Sequence, residues 1–283
     1  MTASALRRVF PSRHRGITLA GVLVIGALAL AAALAPWIVP GSPTEIARDH
    51  ALRAPTLGQP FGMDDLGRSM LSRVVHAYRV SLGVAIVSVA LALAAGVPLG
   101  LAAGYAEGVL DQLIMRPLDV LMSFPAILLS IALMSVFGTG VVLVAASLAV
   151  VYTPIVARVV RAAVLAAKVE VYVDGARALG APVPRLVLRH ILPNAATPVL
   201  VQASVLMAIA ILVEASLSFL GVGVRPPTPS LGLMLADGRG FMVQAPWMVI
   251  FPGLAIMAAV LGFNMVADGL RDWLDPQQAT GRS

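Results

Sequence analysis

Six stretches of the chain, Ile17 to Val39, Val80 to Ala103, Pro117 to Phe137, Val141 to Val160, Ala195 to Gly221 and Met248 to Ala267, run apolar almost without interruption. A hydrocarbon core about 30 Å thick needs about 20 apolar residues at about 1.5 Å rise each, so every one of them is long enough to cross a bilayer as a helix. The expected fold class is therefore all-α, a polytopic membrane protein with six transmembrane helices. Only 12% of the residues are charged and 59% are hydrophobic, against about 25% and 45–50% in soluble domains. The first run contains "ALAAALAP", which resembles a cleavage site, but it exceeds the about 7–15 residues of a signal-peptide core and is read as a retained helix.

Six spans put both termini on one side, and the basic residues choose which. Thirteen of the 20 Lys and Arg fall on the side of the termini: Arg7, Arg8, Arg13, Arg15, Arg116, Arg158, Arg161, Lys168, Arg177, Arg185, Arg189, Arg271 and Arg282. The remainder, Arg48, Arg53, Arg68, Arg73, Arg79, Arg225 and Arg239, lie on the other side, several beside Glu45, Asp49, Asp64 and Asp65. The expected organisation is a cytoplasmic tail at 1–16, a first span at 17–39 and an extracytoplasmic loop at 40–79. A core at 80–267 follows, with a cytoplasmic loop at 168–194, then a cytoplasmic tail at 268–283. The net charge of +6 is spread through the loops, which suits the lipid bilayer and speaks against nucleic acid.

Nothing in the sequence supports catalysis. The one lysine, Lys168, stands in "AAKVE" and not in a phosphate-binding Gly-Lys-Ser/Thr turn, so ATP hydrolysis by that route is excluded. The histidines, at 14, 50, 76 and 190, are far apart and form no zinc motif, and there is no cysteine. No metal, cofactor or catalytic residue is implied.

The cytoplasmic loop carries "DGARALGAPVPRLVLRHILPN", Asp174 to Asn194. Val171 to Leu179 reads as a short helix, ended by a turn at Gly180, Pro182 and Pro184; a second piece runs from Arg185 to Leu192, and Asn194 is a plausible N-cap for the fifth span. Small residues at Gly175, Ala176 and Ala178, with charges at Asp174, Arg177 and Arg189, suit close contact with another protein. A solvated basic loop held by lipid phosphates reads the same pattern. Glu214 is the one carboxylate well inside a span, a functional candidate by position or a buried structural hydrogen-bonding group. Asp111, Arg116 and Asp119, with Arg116 and Asp119 at i,i+3, and Asp268, Arg271 and Asp272 read as charges that lock helix ends, and Trp273 as an interfacial anchor. Pro125, Pro154, Pro198, Gly96 and Gly100 are expected to loosen or kink their helices.

The Asp174–Asn194 segment resembles the signature loop of ATP-binding-cassette importer permeases, in which Glu-Ala-Ala, a glycine and a later "HILPN" form the coupling helix. Asp174, Gly175 and Ala176 match Glu-Ala-Ala with two departures, Gly180 matches the glycine, and His190 to Asn194 match the rest. "FGMDDLGRSMLSRVVHAYRVSL", "GYAEGVLDQLIMRPLDVLMSFP", "EASLSFLGVGVRPPTPSLGLML", "APWMVIFPGLAI" and "FNMVADGLRDWLDP" are similar to the dipeptide/oligopeptide/nickel permease family, its C-type partner. Met63, Ser69 and Leu231 depart from that pattern.

The resemblance implies the type I importer permease fold and a translocation pore shared with a second permease subunit in a heterodimer. Two ATPase subunits would drive it, and an extracytoplasmic solute-binding protein would deliver a peptide or other small solute cargo. The ATPase-coupling residues it implies are Tyr172, Asp174, Gly175, Ala176, Arg177, Leu179, Gly180, Arg189, His190, Pro193 and Asn194. Glu214, Ser218, Asp119, Asn264 and Asp268 are pore or structural candidates. The competing expectation is a proton-coupled secondary carrier titrating Glu214.

Overall fold

The computed structural model describes residues 12–39 and 42–274, with side chains from 16 to 272. The expected anchor Trp273 and the tail arginines Arg7, Arg8, Arg13, Arg15 and Arg282 fall outside those limits. Among the described residues five helices are long and apolar enough to span a bilayer, and there are six such spans if one bent pair counts as one crossing. They are α1 (Ser12–Ala33), α3 (Met70–Ala106), α6 (Val141–Lys168), α9 (Leu192–Phe219) and α11 (Trp247–Leu274). The bent pair is α4 (Gly108–Met122) and α5 (Ala126–Phe137), at 93° to each other. Short elements complete the order among the described residues: α2 (Ala35–Ile38), a 3-10 turn at Arg48–His50, α7 (Val171–Ala178), α8 (Val183–Arg185), a π-helical turn at Leu186–Ile191, α10 (Leu231–Gly238) and a 3-10 turn at Arg239–Phe241.

The helix that carries the second apolar run starts before Val80, at Met70, because Ser69 accepts the Ser72 N–H at its end and the residues after it pack inward, Arg73, Val74 and Tyr78 among them. The third run breaks where Pro125 was expected to kink it: α4 ends at Met122, and Pro125 opens α5 at 93° to it. Gly96 and Gly100 do not interrupt α3, which continues through both. With Gly104 they form a ridge of small residues along α3 into which Val156, Val160 and Val164 of α6 fit, and a Cβ at Gly96 would stand 2.8 Å from the Val156 Cβ. Where lipid tails are as apolar as the side chains, such close backbone approach is what holds helices together. Pro154 and Pro198 sit inside α6 and α9, which continue through them.

At the end of the bundle remote from α7, residues 42–69 form a strap fixed by one carboxylate. Asp64, fully buried, accepts the N–H groups of Leu66 (2.9 Å) and Arg68 (2.8 Å), the Arg68 Nε (2.6 Å) and the Arg73 guanidinium. Arg73 in turn reaches Asp237 of α10 at 3.4 Å. The Trp247 indole donates to the Met63 carbonyl at 2.9 Å, and Phe61 stacks on Phe251 at 4.0 Å, tying the strap to α11.

Asp65 is the weak point of that strap. Burial, then the charge of Asp64, with a smaller push from Asp237, holds its carboxyl above the ordinary 3.8 despite Arg68. The folded strap therefore keeps its proton more tightly than the unfolded chain does, and stability falls as pH rises from 3.8 through the raised value. Asp65→Asn is expected to raise the melting temperature at pH 7 by about 1–3 °C, a gain that shrinks towards nothing as the pH is lowered below the ordinary carboxylate value. Thermal unfolding of the purified protein at the two pH values checks it.

Candidate functional site

At the α7 end, the segment joining α6 to α9 is a rigid projection. Val173, Leu186 and Ile191 are buried and fasten it to the bundle. The turn after α7 depends on Gly180, whose φ of +76° belongs to the left-handed region; its N–H donates to the Arg177 carbonyl (3.0 Å) and that of Ala181 to the Ala176 carbonyl (3.1 Å). The sequence pattern for this helix and turn is thus realised within a residue. Asn194 is a correction: it does not cap α9. The chain passes from Arg185 into α9 through the π-helical turn, in which the Leu192 N–H reaches the Val187 carbonyl five residues back. Pro193 has no N–H to give to Arg189, which suits a widened turn at that point. The Asn194 amide instead donates to the Tyr172 hydroxyl at 2.5 Å and to the His190 carbonyl at 3.0 Å, clipping α7 to the base of α9.

The outward surface of this projection is apolar where a solvated loop would be polar. Val171, Tyr172, Leu179, Val183 and Leu188 are exposed, Leu179 to 90%. Around them lie an exposed Asp174–Arg177 pair (2.9 Å), the exposed Arg189 and Pro193, and half-buried Ala176 and His190. A Cβ at Gly175 would meet nothing within 4 Å, so this face is open. All eleven residues assigned to coupling therefore share one projection, where side chain bonds to side chain in the Tyr172–Asn194 and Asp174–Arg177 pairs.

The second group of candidates does not form one site. Glu214 and Ser218 belong together, and two residues that the sequence reading missed complete the cluster: Ser81 of α3 donates to Glu214 Oε2 (2.7 Å), while Ser218 and Ser230 donate to Oε1 (2.9 Å each). Glu214 is fully buried and accepts from three hydroxyls on three separate parts of the fold, which supports a structural role for it. Asn264 and Asp268 are exposed on α11 and are not among its partners.

Asp119 lies elsewhere again. It pairs with Arg158 of α6 (2.6 Å) and not with Arg116 one turn away; Asp111 takes a two-pronged bond from Arg161 (2.6 Å on each prong), and Lys168 bonds Glu107 and the Tyr105 carbonyl (2.8 Å each). The acids do lock helices, but across α4 and α6. No sequence spacing pairs residues 39 to 61 positions apart, so only the packing of α4 along α6 shows it.

Residues 96–280 match the family described as binding-protein-dependent transport system inner membrane component. The chain is 41% identical over 261 residues to the dipeptide transport system permease protein DppC of Alkalihalophilus pseudofirmus, covering 92% of this chain and 86% of that one. It is 41% identical over 271 residues to the glutathione transport system permease protein GsiD of Escherichia coli, covering 95% and 89%. Among solved structures, the MetNI methionine ABC transporter in inward-facing conformations aligns with a TM-score of 0.55 at 17% identity, over 71% of this chain and 97% of the other, a likeness of fold.

Proposed function

The chain belongs to the family of binding-protein-dependent transport inner membrane components, and on that premise we propose that it works as one of two permease subunits around a shared pore, driven by ATPase subunits. In this reading the projection at α7 docks an ATPase, and the α7 end lies on the cytoplasmic side together with both termini. The strap at 42–69 and α10 then face outward, where a solute-binding protein delivers cargo. The cargo is a short peptide, by analogy with relatives named for dipeptide and glutathione transport.

The observation that carries this reading is the open apolar face around Leu179, held out from the membrane bundle by buried Val173, Leu186 and Ile191. Uncovered, such a patch is unfavourable in water, and it gains on burial against a partner. In outline, nucleotide-driven closure of the ATPases would displace the projection, and α6 and α9, joined to its two ends, would move with it.

The test is purification in mild detergent followed by reconstitution. ATPase subunits and a second permease are expected to travel with the chain, and vesicles holding the assembly are expected to take up a short peptide only with ATP and the binding protein present. Uptake by this chain alone, driven by a pH gradient, would overturn the proposal.

A further inference from the structure

We propose that the Arg161–Asp111 pair is the transmission link between the α7 projection and the bent helix pair, making both positioning residues for transport; the inference rests on the permease reading above. Three facts carry it. First, α7 begins at Val171, three residues after α6 ends at Lys168, so displacement of α7 is delivered first to α6. Second, α6 packs against α3 along the glycine ridge at backbone-to-backbone range, so the two helices have no room to slide apart without losing that fit.

Third, α4 meets that body through a small apolar cluster, Met115 and Leu118 with half-buried Ile114 and Leu121 against Leu99, Ala103 and Ala157, and through three ion pairs in which basic residues of α6 each bond an acid in or just before α4. Exposure ranks the three. Arg158 and Asp119 are 52% and 48% exposed, and Glu107 is 54% exposed, so solvent screens both of those pairs. Arg161 and Asp111 are 33% and 15% exposed, and theirs is the pair with two parallel bonds, which fixes orientation as well as distance. Pull on α6 therefore reaches α4 through Asp111, and the 93° elbow at Ser123–Pro125 converts it into displacement of α5.

The experiment uses the assembled transporter in proteoliposomes, with ATP hydrolysis and peptide uptake measured together. Asp111→Asn and Arg161→Gln are each expected to lower the cargo moved per ATP about tenfold, with hydrolysis within about twofold of wild type. The exchange Asp111→Arg with Arg161→Asp is expected to recover most of it, which a loss of folding would not allow. The chain contains no cysteine, so Asp111→Cys with Arg161→Cys can be bridged by a short bifunctional thiol reagent, and the bridge is expected to restore uptake to that poorly coupled double variant. An unchanged cargo-to-ATP ratio in Asp111→Asn, or a bridge that fails to restore uptake because the two helices must part, overturns the link. A wild-type assembly that hydrolyses ATP without uptake overturns the permease reading instead.

Discussion

Gly100→Leu is expected to remove the protein from the membrane fraction almost entirely. Even a bare Cβ at this position would stand 2.5 Å from the Ala157 carbonyl oxygen and 2.6 Å from the Val160 Cβ. Neither is the free end of a flexible side chain, so relief requires α3 and α6 to move apart. Separation would also unseat Gly96 and Gly104, whose Cβ positions are 2.8 Å from Val156 and Val164. Overpacking a filled core costs about 1–3 kcal/mol, and here backbone and several residues must shift together, so a cost at or above the top of that range is expected. Stability margins of about 5–15 kcal/mol leave little after such a loss combined with failed helix association.

A graded series separates this from a general dislike of substitution on α3. Gly100→Ala should lower the melting temperature by several degrees, whereas Gly83→Ala on the same helix, where a Cβ meets nothing within 4 Å, should change it little. Membrane abundance and thermal unfolding in detergent are the measurements. Equal behaviour of Gly83→Ala and Gly100→Ala would remove the ridge from the account of the fold.

The contrast between what could and could not be read from the residues follows from what each signal measures. Apolar length is local, and it located the crossings; it is blind to direction, so Pro117 to Phe137 reads as one run although Ser123 to Pro125 bends it by 93°. The helix and turn at Val171 to Gly180 were legible because capping and positive φ are decided within a few residues. Asn194 misled for the same local reason: Asn before an apolar run suits a cap, and only the π-helical turn and Tyr172 opposite show its other use. Gly96 and Gly100 read as helix weakeners until a neighbour is known, and Gly104 gave no signal, since small residues gain their value only from what packs on them. Ser81 and Ser230 carried no signal, being unremarkable serines far from Glu214 in the chain.

Gly180→Pro should leave an inserted, folded chain that can no longer be driven. The position has φ of +76°, whereas the proline ring holds φ near −65°, so the turn cannot form as it stands; the Gly180 N–H that donates to Arg177 is lost as well. The damage is confined, because Val173, Leu186 and Ile191 lie in the elements on either side of the turn and keep their buried contacts. What changes is the direction in which Leu179 and its apolar neighbours are presented, and with it the surface proposed to meet the ATPase. Peptide uptake by the assembled transporter should fall at least tenfold, with membrane abundance near wild type. Gly180→Ala, which can enter the left-handed region at a cost of about 1–2 kcal/mol, should fall between the two. Because a lost turn and a lost docking surface have different signatures, ATPase that remains bound without driving uptake would point to misdirected force, and ATPase that no longer travels with the chain to a failed contact. Wild-type uptake in Gly180→Pro would mean that the orientation of this projection is not what moves the helices.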